Sequence, residues 1–283
     1  MKRYCSICVA VLAFSLSISL VGAQENNFPV LKGPYLGQKP PGDSPVLFAP
    51  GIISTDEGEY AFEISRSGDE MLFMRNNRIM LVERNVDGTW NKPFVAPFSG
   101  EFIDDEPFFS PSGQEIYFMS RRPSSHSKYP SNLWVTQKKG DRWIKPIQLN
   151  TITPLRSLHA PSIADNGNIY DDGIFEYTRF DDNYSTAEKV VPLEGMYPFI
   201  SPDESYIIYS ACVSGKKDFD LYISYRSSDG KWSNGVSLGS EINSLTNEGN
   251  AFVTADGKYL FFSRKSGIYW VDARIIKELK LKR

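Results

Sequence analysis

The sequence has very little of two residue types that often carry structure or chemistry in exported proteins. It contains three cysteines and two histidines in 283 residues. Cys5 and Cys8 lie in the apolar N-terminal segment, so Cys212 alone is left for the folded part, and an internal disulfide there is excluded. Because Cys212 extends the apolar run at residues 207–211, we expect a buried structural thiol rather than a nucleophile.

Strong positive charge, helix signals and the common catalytic signatures are also missing. The formal net charge is −3, which argues against a nucleic-acid partner. No zinc spacing, phosphate-binding glycine loop or serine nucleophile elbow occurs, so the sequence predicts no metal and no cofactor. Hardly any segment before Asp272 has helical periodicity, and residues 273–283 are predicted to be a tail that contains a short helix.

The N-terminus has the pattern of an export signal. Lys2 and Arg3 precede an apolar stretch at residues 8–20, which ends in small residues. This stretch is shorter than the ~20 residues that span a bilayer, so residues 1–23 are predicted to be a cleaved signal peptide. We therefore expect a secreted or periplasmic monomer with no membrane span after cleavage, which starts with an extended segment at residues 24–43.

A hairpin unit recurs about five times in the rest of the chain. Each copy is a short strand, a turn with Gly or Asp and an apolar strand, and the copies begin at Phe62, Phe108, Pro161, Phe199 and Phe252. A third strand follows, then a turn that ends in Trp in three copies, then a short outer strand. Four strands at a period of about 45 residues are typical of a propeller blade. The predicted fold is all-β, a β-propeller of about five four-stranded blades at residues 44–272.

The last copy has no outer strand after Asp272, and an open ring would leave an unpaired sheet edge. Residues 44–50 resemble the outer-strand segments of the other copies, including their prolines, which are tolerated at a sheet edge. We therefore predict that this N-terminal strand completes the last blade and closes the ring.

Short motifs recur at matching places in the copies: Ser-Pro-Asp at residues 201–203, Asp-Leu-Tyr at 220–222 and Ala-Asp-Gly-Lys at 255–258. They resemble the repeats of the TolB-like β-propeller family, and the resemblance covers nearly all of the chain after the signal. It implies the propeller fold. TolB itself is an interaction protein, whereas some larger propellers of similar type are polysaccharide lyases. The resemblance implies no single activity, because the motif residues build hairpins.

The turns between the second and third strands share one end of the predicted channel, and they are unusually basic. The third copy alone departs, with Asp171 and Asp172. Cations gathered at one mouth would concentrate an anionic ligand. The alternative is a structural role, in which an arginine directly after the second strand pairs with a carboxylate. The basic residues are Arg75, Arg78, Arg121, Arg122, Lys128, Lys216, Lys217, Arg264 and Lys265.

His159 and Tyr197 lie where the inner strands of consecutive blades enter the channel. An imidazole and a phenol that face one pocket can take and return protons near neutral pH, and elimination beside a uronic carboxylate also needs a cation that neutralises it. We therefore predict action on acidic, uronic-acid-containing oligosaccharides by elimination, as a lyase or dehydratase. The predicted catalytic residues are His159 and Tyr197, and the predicted substrate-binding residues are Arg121, Arg122, Arg156, Glu106 and Asn250.

Two other functions stay open at this point. The first is a non-catalytic periplasmic propeller whose mouth binds a glycan or an envelope protein. The second is glycoside hydrolysis, since Glu59, Glu106 and Glu248 begin different inner strands and are expected to converge on the channel. Paired carboxylates are the groups that this reaction requires.

Overall fold

A computed structural model describes residues 28–125, 129–140, 142–149, 158–181, 183–191, 194–213, 215, 217–265 and 267–281. The predicted signal peptide and Arg156 lie outside these residues. Within the described part of the chain, no helix is long and apolar enough to cross a bilayer.

The strands form five antiparallel blades that follow one another around a ring, which confirms the predicted β-propeller. Strand β1 (Val46–Leu47) precedes blade 1, which contains β2 (Tyr60–Ile64), β3 (Glu70–Arg75), β4 (Arg78–Glu83) and β5 (Phe94–Val95). Blade 2 contains β6 (Asp104–Phe109), β7 (Glu115–Ser120), β8 (Asn132–Lys139), β9 (Arg142–Trp143) and β10 (Ile147–Gln148). Blade 3 contains β11 (Ser162–Ile163), β12 (Ile169–Asp171), β13 (Phe175–Tyr177), β14 (Arg179–Phe180), β15 (Asn183–Tyr184) and β16 (Glu188–Lys189). Blade 4 contains β17 (Met196–Ile200), β18 (Tyr206–Ala211), β19 (Asp220–Tyr225) and β20 (Val236–Ser237), and blade 5 contains β21 (Glu248–Val253), β22 (Tyr259–Arg264) and β23 (Gly267–Asp272).

The N-terminal strand closes the ring as predicted. Strand β1 pairs antiparallel with β23, so that Val46 is opposite Trp270 and blade 5 has four strands. The chain before β1 also reaches blade 1, where the indole N–H of Trp90 donates to the carbonyl of Gly33 at 2.7 Å. The N-terminal segment therefore joins the first and last blades, and it covers sheet edges that would otherwise be open.

Aromatic side chains fill the junction between blades 5 and 1. Phe261 is fully buried, and its ring centroid lies 4.6 Å from that of Phe62, 5.1 Å from that of Phe48 and 5.4 Å from that of Trp270. Because Phe48 follows β1, burial of this ring also holds the closing strand in place.

The repeated hairpin turn is stabilised by a hydroxyl group. In blades 1, 2, 4 and 5 a Ser or Thr at the end of the inner strand accepts a hydrogen bond from the backbone N–H five residues later, at 3.0–3.1 Å. Such local hydrogen bonds favour turns over continued strands. Blade 3 has Ala164 at this position, so its turn lacks the hydroxyl.

The structure also places the C-terminal helix and Cys212. Helix α1 (Arg274–Leu281) packs on blade 4, where the hydroxyl of Tyr225 donates to the carbonyl of Ile276 at 2.6 Å. The expectation of a buried Cys212 is wrong, because β18 ends at Ala211 and Cys212 begins the following turn, where it is exposed.

Candidate active site at the channel mouth

In each blade, one residue in the inner strand or shortly before it has a left-handed backbone conformation and lines the funnel at the channel. These five residues, which we call the bulge ring, have φ between 48° and 54°. A β-bulge re-aims a side chain, and a non-glycine residue with positive φ costs roughly 1–3 kcal/mol. The ring lines a funnel that encloses only about 50 Å³, room for a few water molecules. The bulge ring consists of Ala61, Glu106, Ala160, Tyr197 and Asn250.

His159 lies beside the bulge ring and contacts two carboxyl groups. Its Nδ1 is 2.8 Å from Oδ2 of Asp172, and its Nε2 is 3.6 Å from Oε1 of Glu106. Its backbone N–H donates to Oδ1 of Asp171 at 2.8 Å. Asp171 is the last residue of strand β12, and Asp172 follows it. The two acidic residues that set the third copy apart from the others therefore place both carboxylates around this histidine.

Asp172 also positions the next blade. Its Oδ1 accepts a hydrogen bond from the backbone N–H of Tyr197 at 2.7 Å. The ring of Tyr197 lies 5.6 Å from that of His159, centroid to centroid. One carboxylate therefore fixes both residues that the sequence predicts to be catalytic.

Glu106, His159 and Tyr197 all have raised pKa values. Burial and the neighbouring Asp105 raise the pKa of the Glu106 carboxyl to about 8. The hydrogen bond with Asp172 raises the pKa of His159 to about 9, and the negative charge of Glu106 adds to this effect. Burial raises the pKa of Tyr197 to about 12. At neutral pH all three side chains therefore carry a proton that they can donate.

Asp105 is the second carboxylate on the Glu106 side of the funnel. Its Oδ1 accepts hydrogen bonds from the hydroxyl of Tyr60 and from the backbone N–H of Glu106, both at 2.9 Å. Burial raises its pKa, while the positive charges of His159 and Arg121 lower it. We call Asp105, Glu106, His159, Asp172 and Tyr197 the mouth cluster.

Several cations of the basic turns are held by buried carboxylates. The guanidinium of Arg75 pairs with Glu59 at 2.8 Å, and that of Arg264 pairs with Glu248 at 3.0 Å. Arg122 pairs with Asp104 and also donates to the carbonyl of Phe98. Each pair lies within one blade, and each arginine also donates to a carbonyl of the connection that precedes its blade. These three arginines tie the blade to its connection.

The structure brings together some of the predicted site residues and separates others. His159, Tyr197, Glu106 and Asn250 lie at the funnel. Arg121 is exposed, and it lies close enough to Asp105 to lower the pKa of this carboxyl group. Arg122 is instead buried in its ion pair with Asp104. Arg156 is outside the described residues. Of the carboxyl groups around His159, Glu106 was predicted as a site residue, whereas Asp171 and Asp172 were not, although this unusual acidic pair was a visible signal in the sequence.

The charge at the funnel itself is mixed rather than cationic. The described groups nearest to His159 are carboxyl groups, and within the described residues the exposed cations Arg78, Lys217 and Lys265 form no ion pair with the mouth cluster. Among the described residues, no group of three or more His, Cys, Asp or Glu side chains has a geometry that would hold a metal ion.

Comparisons with known proteins find only distant similarities. The sequence matches no protein-family model and no curated protein. A structure assigned to TolB of Agrobacterium tumefaciens is 15% identical, with a TM-score of 0.48 over 77% of this chain and 72% of that chain. An α-L-arabinanase of Cellvibrio cellulosa is 17% identical, with a TM-score of 0.46 over 75% of this chain and 90% of that chain. A gluconolactonase of Xanthomonas campestris is 10% identical, with a TM-score of 0.46 over 87% of this chain and 95% of that chain. At this level of similarity the matches say nothing about activity.

Proposed function

We propose that the funnel mouth hydrolyses a glycosidic bond, with Glu106 as the proton donor. The observation that supports this proposal is a buried carboxyl group, 5% exposed, on the bulge ring, with a pKa of about 8. A carboxyl group that stays protonated at neutral pH, next to a second carboxylate, is the arrangement that glycoside hydrolysis uses.

The mouth cluster supplies a role for each step. The Glu106 carboxyl donates its proton to the glycosidic oxygen as the bond from this oxygen to the anomeric carbon breaks. The Asp105 carboxylate takes a proton from water while the water oxygen bonds to the anomeric carbon. Protonated His159, held by Asp172 at 2.8 Å, stabilises negative charge nearby, and Tyr197 offers its ring and hydroxyl to the sugar.

The funnel is too small to enclose a sugar ring, so the substrate would lie across the mouth with one substituent pointing inward. An exported chain would meet such glycans outside the cytoplasm, and the N-terminal pattern of residues 1–23 supports that location. The sugar and the linkage are to be identified with a panel of neutral and acidic oligosaccharides.

Glu106→Gln is the direct test of hydrolysis. Loss of the proton donor is expected to lower kcat by ~10²–10⁴-fold, while Asn250→Ala, a change on the same bulge ring, leaves the pH profile in place. Wild-type kcat should fall as the pH rises through about 8, because Glu106 then loses its proton. Full activity of Glu106→Gln would refute the proposed donor.

Elimination from a uronic-acid oligosaccharide is the second candidate, because the His159 and Tyr197 rings are 5.6 Å apart. In this reaction neutral His159 removes the proton next to the carboxylate, Tyr197 protonates the leaving oxygen, and Arg121 balances the charge of the uronate. The pKa of His159 is about 9, so the rate should rise through pH 9, opposite to the profile of hydrolysis. New double-bond absorbance identifies the products, and binding without any turnover would instead favour a non-catalytic propeller.

A further inference from the structure

We propose that a second carbohydrate site lies between blades 1 and 2, around Trp143, and that it binds an uncharged oligosaccharide segment. This site is separate from the funnel, and it does not depend on whether the funnel is catalytic. Two cavities of about 470 and 340 Å³ meet at Trp143, which lines both. Each is several times larger than the funnel and within the size range of small-molecule sites.

The first cavity presents apolar surfaces. It lies between blade 2 and the connection that precedes it, with Phe98, Phe102 and Trp134 in its walls. Trp143 is half-buried, and its ring packs edge-on against Phe98 at 5.0 Å between centroids. Lys138 lies over the Trp143 ring, and the guanidinium of Arg122 lies over the rings of Phe102 and Trp134. The C–H face of a sugar ring would contact the remaining apolar surface of these rings.

The second cavity, which the same tryptophan lines, has polar side chains in its walls beside Phe109 and Ile116. It is lined by Gln114, Gln137, Lys138 and Glu70. Amide, ammonium and carboxylate groups together offer both donors and acceptors, as the hydroxyl groups of a sugar require. An oligosaccharide that crosses both cavities would therefore contact an aromatic surface with some of its sugar rings and a hydrogen-bonding surface with the next.

The two cavities and their ion-pair partners contain three cations and four carboxylates, so no excess of positive charge favours an anionic ligand over an uncharged one. Lys138 pairs with Glu70, and its Nζ lies 2.6 Å from Oε1 of Glu83. Arg122 pairs with Asp104. The remaining lining charges, Glu101 and Lys145, have opposite signs. No excess cation is left in these walls to attract a uronate.

The equivalent tryptophans in blades 1 and 4 are used differently. Trp90 is 3% exposed and bonds to the N-terminal segment. Trp232 packs against Tyr170 of blade 3. In blade 2 the hairpin forms the two-residue strand β9. Lys138 Nζ lies 4.9 Å from the ring centroid of Trp143 and Phe98 packs edge-on against it, while the rest of the Trp143 surface lines the two cavities.

Calorimetric titration with neutral hexasaccharides tests this site. Linear arabino-, xylo-, cello- and mannohexaose are the probes, with hexagalacturonate as the charged comparison. We expect at least one neutral hexamer to bind more tightly than hexagalacturonate. Trp143→Ala is expected to weaken this binding about tenfold or more, and Trp232→Ala, at the same hairpin position in blade 4, should leave it unchanged.

Glu106→Gln separates this proposal from the proposed hydrolysis, because this variant should lose turnover and still bind the hexamer. If Trp143→Ala does not fold, the double variant Gln114→Ala and Gln137→Ala gives the same test on the polar side, with a loss of about threefold or more expected. The proposal is overturned if no neutral hexamer binds, if the Trp143 or glutamine variants bind like the wild type, or if a proline-rich peptide binds these cavities and no sugar does.

Discussion

Blades 3 and 5 follow the same plan at the channel, yet they place different chemistry there. In blade 5 the strand register pairs Gly249 with Ser263 and Glu248 with Arg264. Continuing the blade 3 register across the same bulge pairs His159 with Asp172, and it places Leu158 and Gly173 where blade 5 has its ion pair. Of these two blades, the one without the structural ion pair is therefore the one that carries the polar pair at the mouth.

The two blades also differ in what holds them. Strands β21 and β22 of blade 5 have six residues each, whereas the equivalent strands β11 and β12 of blade 3 have two and three. Blade 3 is fixed to blade 4 by a buried polar network, in which Asn168 and the hydroxyl of Tyr170 both donate to Glu204 at 2.8 Å. A functional site built on short strands needs such support, because short ladders provide few hydrogen bonds.

The largest difference in stability is expected between substitutions of Phe261 in blade 5 and of Tyr170 in blade 3, which occupy equivalent positions. Phe261→Ala in blade 5 removes a fully buried ring from the aromatic junction, and we expect a loss of ~3–5 kcal/mol in the free energy of unfolding. Tyr170→Phe in blade 3 keeps the ring and removes one buried hydrogen bond, with an expected loss of ~1–3 kcal/mol. Urea unfolding of both variants measures the two values. A larger loss for Tyr170→Phe would contradict the view that blade 5 carries the apolar closure.

A smaller effect, on the pKa of His159, is expected when its pair with Asp172 is weakened. Asp172→Asn keeps an acceptor for the Tyr197 N–H and removes the charge beside His159. The pKa of His159 should fall from about 9 toward its ordinary value of 6.5, because the bond with Asp172 is the main cause of the shift. NMR titration of the imidazole protons measures it, with the other histidine of the chain as internal reference. A pKa that stays near 9 would show that Glu106 and Asp105 suffice.

The sequence predicts the fold better than the site, and particular residues show why. The hairpin turns, the blade count and the pairing of Val46 with blade 5 follow from local patterns and from the need to close a sheet edge. The ion pair of Arg122 with Asp104 joins residues that are 18 positions apart in the sequence. Side-chain geometry decides which cations are neutralised in this way, and the sequence pattern does not show it. The same holds for Asp172, whose importance shows only when the bulge register places it opposite His159.

The smallest effect is expected from restoring the missing hydroxyl of the blade 3 turn. Ala164→Ser would place an oxygen where the other four blades have one. The blade 3 turn is one residue shorter, so the equivalent backbone N–H is that of Asn168, which already donates to Oδ1 of Asn166 at 3.0 Å. We expect a gain of at most ~0.5–1 kcal/mol in the free energy of unfolding, because the new hydroxyl competes with the Asn166 side chain for this N–H. Ser110→Ala in blade 2 is the matched reverse change, with a loss of similar size, and both are measured by urea unfolding. Because Ala164 is fully buried, a loss on Ala164→Ser would mean that the short blade has no room for the oxygen. Its irregular turn would then be a packing requirement of the site rather than a missing hydrogen bond.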